Sequence, residues 1–370
     1  MSESHTTHLL ATRMSASQTT YVNARDLNAT EIQALLAKLI SELPYTIPLT
    51  RRLQFEHKFP SPTSRVWIAY RQADRANVYT NGESLAETKI AWLIPPHSTW
   101  LAAYIDLANP GQTQCWLFGS WELPDSRRNE TVEQSLVNAL FRHIFVDVVP
   151  LQPTEPNADW LSLRDSGKYL SQPFNRSKVL FGTIHDEVRK YLTRSAVKRI
   201  DESYGKYIFD LSLAESKKVS LPEGYEFGKM REDLLQTVLD RSPIPRTLKT
   251  LKSLLNVGLY YNGQPIGWGF IGKDGSLSSL HTESEHRGKG LAVAVGKELI
   301  RRQTELFGEE GSSFCHSDVS ESNAASNSVM KKLGGKVMWR VAWVEIDLSE
   351  ALEGQVELKG NESQQAGTRQ

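Results

Sequence analysis

Apolar positions along the chain change period several times, and the changes mark out its elements. Ile32, Leu35, Leu36, Leu39, Ile40 and Leu43 recur at three- and four-residue spacing, which predicts a helix over Asn28 to Leu43 stopped by Pro44. Arg65 to Tyr70, Ile90 to Ile94, Leu101 to Leu107 and Gln114 to Trp121 are short apolar or alternating runs that predict strands. The last two flank the turn signal Asn109-Pro110-Gly111. Helical spacing returns over Glu130 to Phe145, before a Pro-rich break at Pro150 to Pro156. Val188 to Ile200 reads as a basic linking helix and Lys206 to Leu213 as a strand.

The second half repeats the rhythm with sharper punctuation. Val257 to Tyr261 and Pro265 to Ile271 are strand-like runs, followed by Asn262-Gly263 and Asp274-Gly275 respectively. Both dipeptides supply the positive φ angles of type I′ hairpin turns, so a three-stranded meander is predicted, its last strand running from Ser276 to Glu283. A glycine-rich stretch, His286-Arg287-Gly288-Lys289-Gly290-Leu291-Ala292, then opens a helix from Leu291 to Phe307 that ends near Gly308. Ser313 to Val319 reads as a strand, and Asn323 to Leu333 as a helix stopped by Gly334-Gly335. Val337 to Trp339 and Val341 to Leu348 form a last pair of strand-like runs.

Two halves of similar order suggest two domains, and 370 residues suffice for both. The expected division is a flexible lead at 1–20, a degenerate first domain at 21–200, a working domain at 201–350 and a disordered tail at 351–370. The halves differ where the second carries its glycine loop. Between Trp121 and Glu130 the first half reads Leu123-Pro124-Asp125-Ser126-Arg127-Arg128-Asn129, without a glycine.

That difference has chemical weight. A glycine-rich turn between strand and helix exposes backbone N–H groups at the positive end of the helix dipole, a site for a pyrophosphate. Gly288 and Gly290 let the backbone approach the phosphates closely because no Cβ intervenes. Pro124 lacks an N–H, so no nucleotide is expected in the first half.

The pattern Arg287-x-x-Gly290-x-Ala292, with Asn323, Ser326, Leu333 and Gly334 in the following strand–helix segment, resembles the GNAT superfamily of N-acetyltransferases over roughly Leu221 to Leu348. Within it the chain is most similar to the glycine N-acyltransferase-like branch. The resemblance implies an α/β (α+β) GNAT fold with a mixed, mostly antiparallel sheet, in two tandem copies of which the first is degenerate. It implies acetyl-CoA, or another acyl-CoA, as cosubstrate and no metal. The backbone of Leu280, His281 and Thr282 is expected to pair with the pantetheine arm. Arg287, Gly288, Lys289, Gly290, Leu291 and Ala292 are expected to hold the pyrophosphate, and Asn323 and Ser326 to reach the pantetheine or phosphates.

Two departures from the family stand out. Ser276 stands where many members place a glutamate base, and Met330 where many place a tyrosine acid. Serine is no base at neutral pH, and methionine has no proton to give. His281 and His316 are the candidate substitutes, having the right intrinsic pKa, and solvent is another. Asp318 neighbours His316 on the same strand. Cys315 and His316 are adjacent, so on a strand they face opposite ways and make no nucleophile pair.

Composition adds exclusions. Forty-three basic and 43 acidic residues cancel, so nothing points to nucleic acid or to an anionic membrane as a partner. Cys115 and Cys315 are the only cysteines; they fall in different halves, which fits a reducing, cytoplasmic setting without a structural disulfide. Trp67, Trp92, Trp100, Trp116, Trp121 and Trp160 crowd the first half, as core residues or as an aromatic wall for an acceptor. The leading reading is an acyl-CoA-dependent N-acyltransferase acting on a small amine or amino acid by direct attack in a ternary complex. A coenzyme A-binding pseudoenzyme or interaction protein and a peptide or protein acetyltransferase are the alternatives. The oligomeric state stays open.

Overall fold

The computed structural model describes residues 22–71, 93–95, 98–167, 170, 172–213, 219–242, 244–308 and 313–353. The lead at 1–20, the segment 354–370 of the expected tail, Trp92 and most of the expected strand at 90–94 lie outside them. The described residues form two sheets. The larger has nine strands: β1 (Val22–Asp26), β2 (Arg65–Arg71), β3 (Trp100–Ile105), β4 (Cys115–Gly119), β5 (Lys178–His185), β6 (Val197–Ile200), β7 (Tyr204–Asp210), β12 (Phe314–Ser320) and β13 (Lys336–Asp347). Its order is β1-β2-β3-β4-β5-β13-β7-β12, with β6 also paired to β13. The smaller sheet is β11-β10-β9-β8, from β8 (Tyr225–Gly228), β9 (Asn256–Tyr261), β10 (Gln264–Ile271) and β11 (Leu277–Thr282).

One pairing is antiparallel after another except at β4–β5, which run parallel and share only Cys115–Phe181 and Trp116–Gly182. β13 joins the two halves. Its residues Lys336 to Val341 pair with β7, while Val341 to Asp347 pair with β5. The second half thus threads its last strand into the sheet of the first, and β7, which precedes the second half's own strands, lies between β12 and β13.

The main helices are α1 (Ala29–Ser41), α2 (Ile47–Lys58), α3 (Glu130–His143), α4 (Ala158–Asp165), α5 (Leu235–Asp240), α6 (Leu248–Ser253), α7 (Leu291–Phe307) and α8 (Ala324–Lys332). Asn28 caps α1 through a capping box with Glu31. α3 packs Val132, Leu136, Val137, Leu140 and Phe141 into one core with β2 to β5, and α1 and α2 build a second core on the opposite face. α7 lays Leu291, Val295, Leu299 and Leu306 on β9 to β11. α5 and α6 cover the other face of that sheet, against Trp268 and Phe270. No helix among the described residues is long and apolar enough to cross a membrane.

Three expectations change. Val188 to Ile200 is not a linking helix: only a four-residue helix, Asp186–Arg189, and a single turn at Arg194–Ala196 precede β6, which pairs with Val344 to Ile346 of β13. A non-local strand partner overrides the helical spacing of the basic residues there. The two runs Val337–Trp339 and Val341–Leu348 are one strand, bulged between Val337 and Trp339. The Asp274-Gly275 turn is not type I′. Gly275 alone has positive φ there, Gly275 N–H reaches Gly272 O, and Gly272 N–H reaches Ser276 O, the pattern of a longer loop closed by a left-handed glycine. Asn262-Gly263 has the expected pair of positive φ values, 49° and 73°.

Candidate active site

β11 and β12 are the facing edges of the two sheets, and they touch at one end. An isolated parallel bridge joins Ser276 to His316, and Ser317 Oγ donates to Leu277 O at 2.9 Å. Past that vertex no ladder pairing joins them among the described residues, so a wedge opens between the sheets.

The edge groups in the wedge follow from the ladder. Glu283 N–H bonds to Ile266 O, so Glu283 and, by alternation, His281 turn their backbone groups toward β10. Thr282 and Leu280 turn theirs outward, and Thr282 O accepts from Arg287 Nε at 2.9 Å. Of the three backbones expected to meet pantetheine, that of His281 therefore faces the wrong way. A bulge, with two residues opposite Gly269, places Ser279 at φ 51° immediately before Leu280.

α7 begins where the wedge widens. Gly288 and Gly290 have φ of 78° and 74°, and a Cβ built on either would meet nothing within 4 Å. The first turn of α7 holds no acidic residue, and no side chain caps it. Its initial N–H groups therefore face open space at the positive end of a 17-residue dipole. Arg287, Gly288, Lys289 and Gly290 are exposed, while Leu291 is buried in the core. Lys289 Nζ donates to Tyr225 OH at 3.0 Å, and that hydroxyl also bonds His286 Nδ1, which steadies the loop. An anionic diphosphate fits this cradle.

The matching helix of the first half is closed. Asn129 caps α3 through its side chain, Glu130 and Glu133 lie in the first turn, and Glu133 Oε1 accepts from Asn129 N–H at 2.7 Å. Arg128 holds the same carboxylate, with Nη2–Oε2 at 2.7 Å, and also bonds Glu187. A protein carboxylate thus occupies both the helix terminus and the cation that a phosphate would need.

At the vertex lies a buried polar cluster. Lys206 Nζ bonds Asp318 Oδ2 at 2.8 Å and His316 Nδ1 at 3.2 Å, and His316 Nε2 reaches Asp274 O at 2.7 Å. An ammonium only donates and a carbonyl only accepts, so His316 is the neutral tautomer with its proton on Nε2. Its lone pair is already engaged. Burial, then the Lys206 charge, holds its pKa well below the usual histidine range. Burial pushes Asp318 up to about 6 against the pull of Lys206. Ser276 is buried and gives its hydroxyl proton to Asp274 Oδ1 at 2.7 Å. His316→Gln is expected to lower the melting temperature. Because the folded state refuses a proton that the unfolded chain takes up, wild type should lose stability as pH falls below about 6.5. That loss should be smaller in the variant when melting is followed across pH.

His281 sits elsewhere, on the face of the small sheet covered by α5 and α6. Its ring stacks on Trp268 at 4.5 Å between centroids, and Nε2 lies 3.6 Å from Glu283 Oε2. Burial lowers its pKa, partly opposed by Glu283, so it is neutral at pH 7. Leu280 points its side chain to the opposite, α7 face. Asn323 is exposed and caps α8, its Oδ1 accepting from Ser326 N–H at 3.0 Å. Tyr207 OH donates to Asn327 Oδ1 at 2.8 Å. Met330 is buried in the α7 core. Met330→Leu keeps volume and apolarity, so turnover is expected to stay within several-fold of wild type in a steady-state assay.

Sequence reading missed Arg246, Lys206, Asp274 and the bulge at Ser279. No periodicity announces them: Arg246 lies in a loop after Pro245, and the others act through partners distant in the chain. Of the tryptophans, Trp67, Trp100, Trp121 and Trp160 are buried core residues, while Trp116 Nε1 reaches across to Asp274 Oδ2 at 3.4 Å. Cys115 and Cys315 are both buried and free. Among the described residues no group of three or more His, Cys, Asp or Glu could hold a metal ion.

Comparisons with known proteins agree with this architecture. The family profile described as acyl-CoA N-acyltransferase verG N-terminal domain matches residues 4–207, and that of FR47-like protein matches residues 256–344. The chain is thus a GNAT-type N-acyltransferase with two tandem GNAT-like domains, for which the fold implies an acyl-CoA cosubstrate. It belongs to the acyl-CoA N-acyltransferase family of verG. The glycine N-acyltransferase-like branch receives only loose support.

Among solved structures, a Drosophila protein is 14% identical with a TM-score of 0.56, covering 87% of this chain and 98% of its own. A tandem GNAT protein from the clavulanic acid biosynthesis pathway is 12% identical with a TM-score of 0.43, covering 88% and 98%. A GCN5-related N-acetyltransferase from Sphaerobacter thermophilus is 15% identical with a TM-score of 0.42, covering 88% and 96%. A search of curated proteins found no match.

Proposed function

We propose that the second half, roughly residues 201–350, transfers an acyl group from acyl-CoA, acetyl-CoA by default, to the amine of a small molecule or amino acid. The observation that carries this reading is the wedge between β11 and β12, with the uncapped N-terminus of α7 at its mouth. Bound acyl-CoA supplies a thioester carbonyl that the amine attacks directly, forming C–N and breaking C–S. Arg287, Gly288, Lys289 and Gly290, with the N–H groups of Leu291 and Ala292, hold the diphosphate. Leu280 and Thr282 line the arm from the edge of β11, and exposed Asn323 and Ser326 flank it from α8.

The outward N–H of Leu280, fixed by the bulge, can donate to the carbonyl oxygen as it gains charge. His281 is the less engaged of the two histidines: no cation holds its Nε2, which is buried without a hydrogen-bond partner, so taking the ammonium proton requires the acceptor to reach that nitrogen beneath α5 and α6. Ser276 and His316 then position the vertex instead of moving protons. A coenzyme A release assay across amines, amino acids and peptides, with acetyl and longer donors, tests this. Turnover of small amines supports the proposal, turnover of peptides alone favours a peptide acetyltransferase, and no turnover with intact cofactor binding contradicts it.

A further inference from the structure

The acceptor side of the wedge holds a cation that the acyl-transfer chemistry does not use. Arg246 lies in the loop between α5 and α6, and its Nη1 donates to Ser279 Oγ at 2.7 Å. Ser279 is the bulged residue next to Leu280, so this guanidinium sits one residue from the N–H that meets the acyl carbonyl. No other hydrogen-bond partner of Arg246 is found among the described residues, and none of them offers a carboxylate within ion-pair distance. The residue as a whole is only partly buried. Asp274, the nearby acid, is already engaged by the Ser276 hydroxyl and N–H and by Trp116 Nε1. Burial lowers the pKa of Arg246, and Asp274 offsets part of that cost.

The first half of the chain fixes where Arg246 stands. Thr247, the next residue, caps α6 by accepting from Thr250 N–H, and Thr250 Oγ1 donates to Gln112 Oε1 at 2.6 Å. Gln112 belongs to the turn between β3 and β4. The first domain thus clamps the start of α6.

We propose that Arg246 reads a carboxylate on the acceptor, making the preferred substrate an amine with a carboxylate one or two carbons away, an amino acid. The unused Nε–Nη2 edge of a guanidinium matches a carboxylate in bidentate geometry. Ser279, which Arg246 holds, directly precedes Leu280, so an amine attacking a carbonyl at the Leu280 N–H and a carboxylate at Arg246 address consecutive residues of one strand, the short span of an amino acid. This proposal rests on the acyltransferase reading above and specifies its acceptor.

The test measures each of the twenty amino acids beside its α-amide, with acetyl-CoA, in wild type, Arg246→Gln and Arg246→Lys of the full chain. Wild type is expected to favour at least one acid over its amide by about 10- to 100-fold in KM. Arg246→Gln should erase that preference, leave the amide's kcat within several-fold and leave coenzyme A affinity unchanged. Arg246→Lys should fall between. Equal losses for acid and amide, or a wild-type preference for amides, would overturn the proposal. Calorimetric titration of the same acids and amides into the coenzyme A complex separates it from the proposed reaction. Acid binding that is lost in Arg246→Gln without turnover keeps the Arg246 site and removes the reaction, and no selective acid binding in wild type removes the site.

Discussion

Gly290→Val is expected to weaken coenzyme A binding by about 10- to 100-fold, the effect of some one to three kcal/mol of backbone strain. Gly290 holds φ at 74° as the N-cap of α7, a conformation that a β-branched residue adopts only at a cost. No protein atom within 4 Å blocks the added side chain, so the loss falls on loop geometry and on ligand approach and not on the core. The strain is also present without ligand, so the free protein should melt somewhat below wild type while staying folded. Ser276→Ala is the comparator: it removes a buried hydrogen bond to Asp274 and touches nothing on the α7 side. Its coenzyme A affinity should stay near wild type, although its melting temperature falls. Isothermal titration of both variants decides the matter. Wild-type affinity in Gly290→Val would remove the glycine loop from the site.

The second large effect is expected at His281. If its neutral imidazole takes the acceptor's proton, His281→Gln should lower turnover by about two to four orders of magnitude. Burial holds the group below the ordinary histidine value. Since a base works only when unprotonated, the acid limb of the wild-type kcat profile should fall below about pH 6.5 and flatten in the variant. His316→Gln should leave that limb in place, because Nδ1 of His316 is held by Lys206 and Nε2 by Asp274. An unchanged rate and profile in His281→Gln would leave solvent as the proton acceptor and positioning as the source of rate.

The parts of this site that were readable in sequence are those built from local physics. The span of α7, Leu291 to Phe307, follows from apolar spacing and from glycine at both ends, and the loop before it follows from its two glycines. The closed first half was also readable at the level of glycine absence, but its cause was not. Glu133 and Arg128 act on Asn129 in ways that only the folded helix start reveals.

What stayed hidden depends on partners far away in the chain. α2 escaped notice because its buried face carries Thr50, Arg51 and Arg52 beside Leu49, Leu53 and Phe55, which blurs the amphipathic pattern. Arg52 is stabilised inside by Glu56 and the face of Tyr104, 3.8 Å away, and no spacing rule anticipates that. The division of β13 between β7 and β5 leaves no trace in an apolar run, since both of its partners read the same alternation. Arg246 became a candidate only when the fold set it against Ser279.

The central claim is that one half binds acyl-CoA while the other, of like fold, has closed its site. Calorimetric titration of coenzyme A into the full chain tests this most directly. One site per chain is the expected stoichiometry, and that site should weaken in Gly290→Val and persist in Glu133→Gln. Two sites of similar affinity, or a single site indifferent to Gly290→Val, would contradict it.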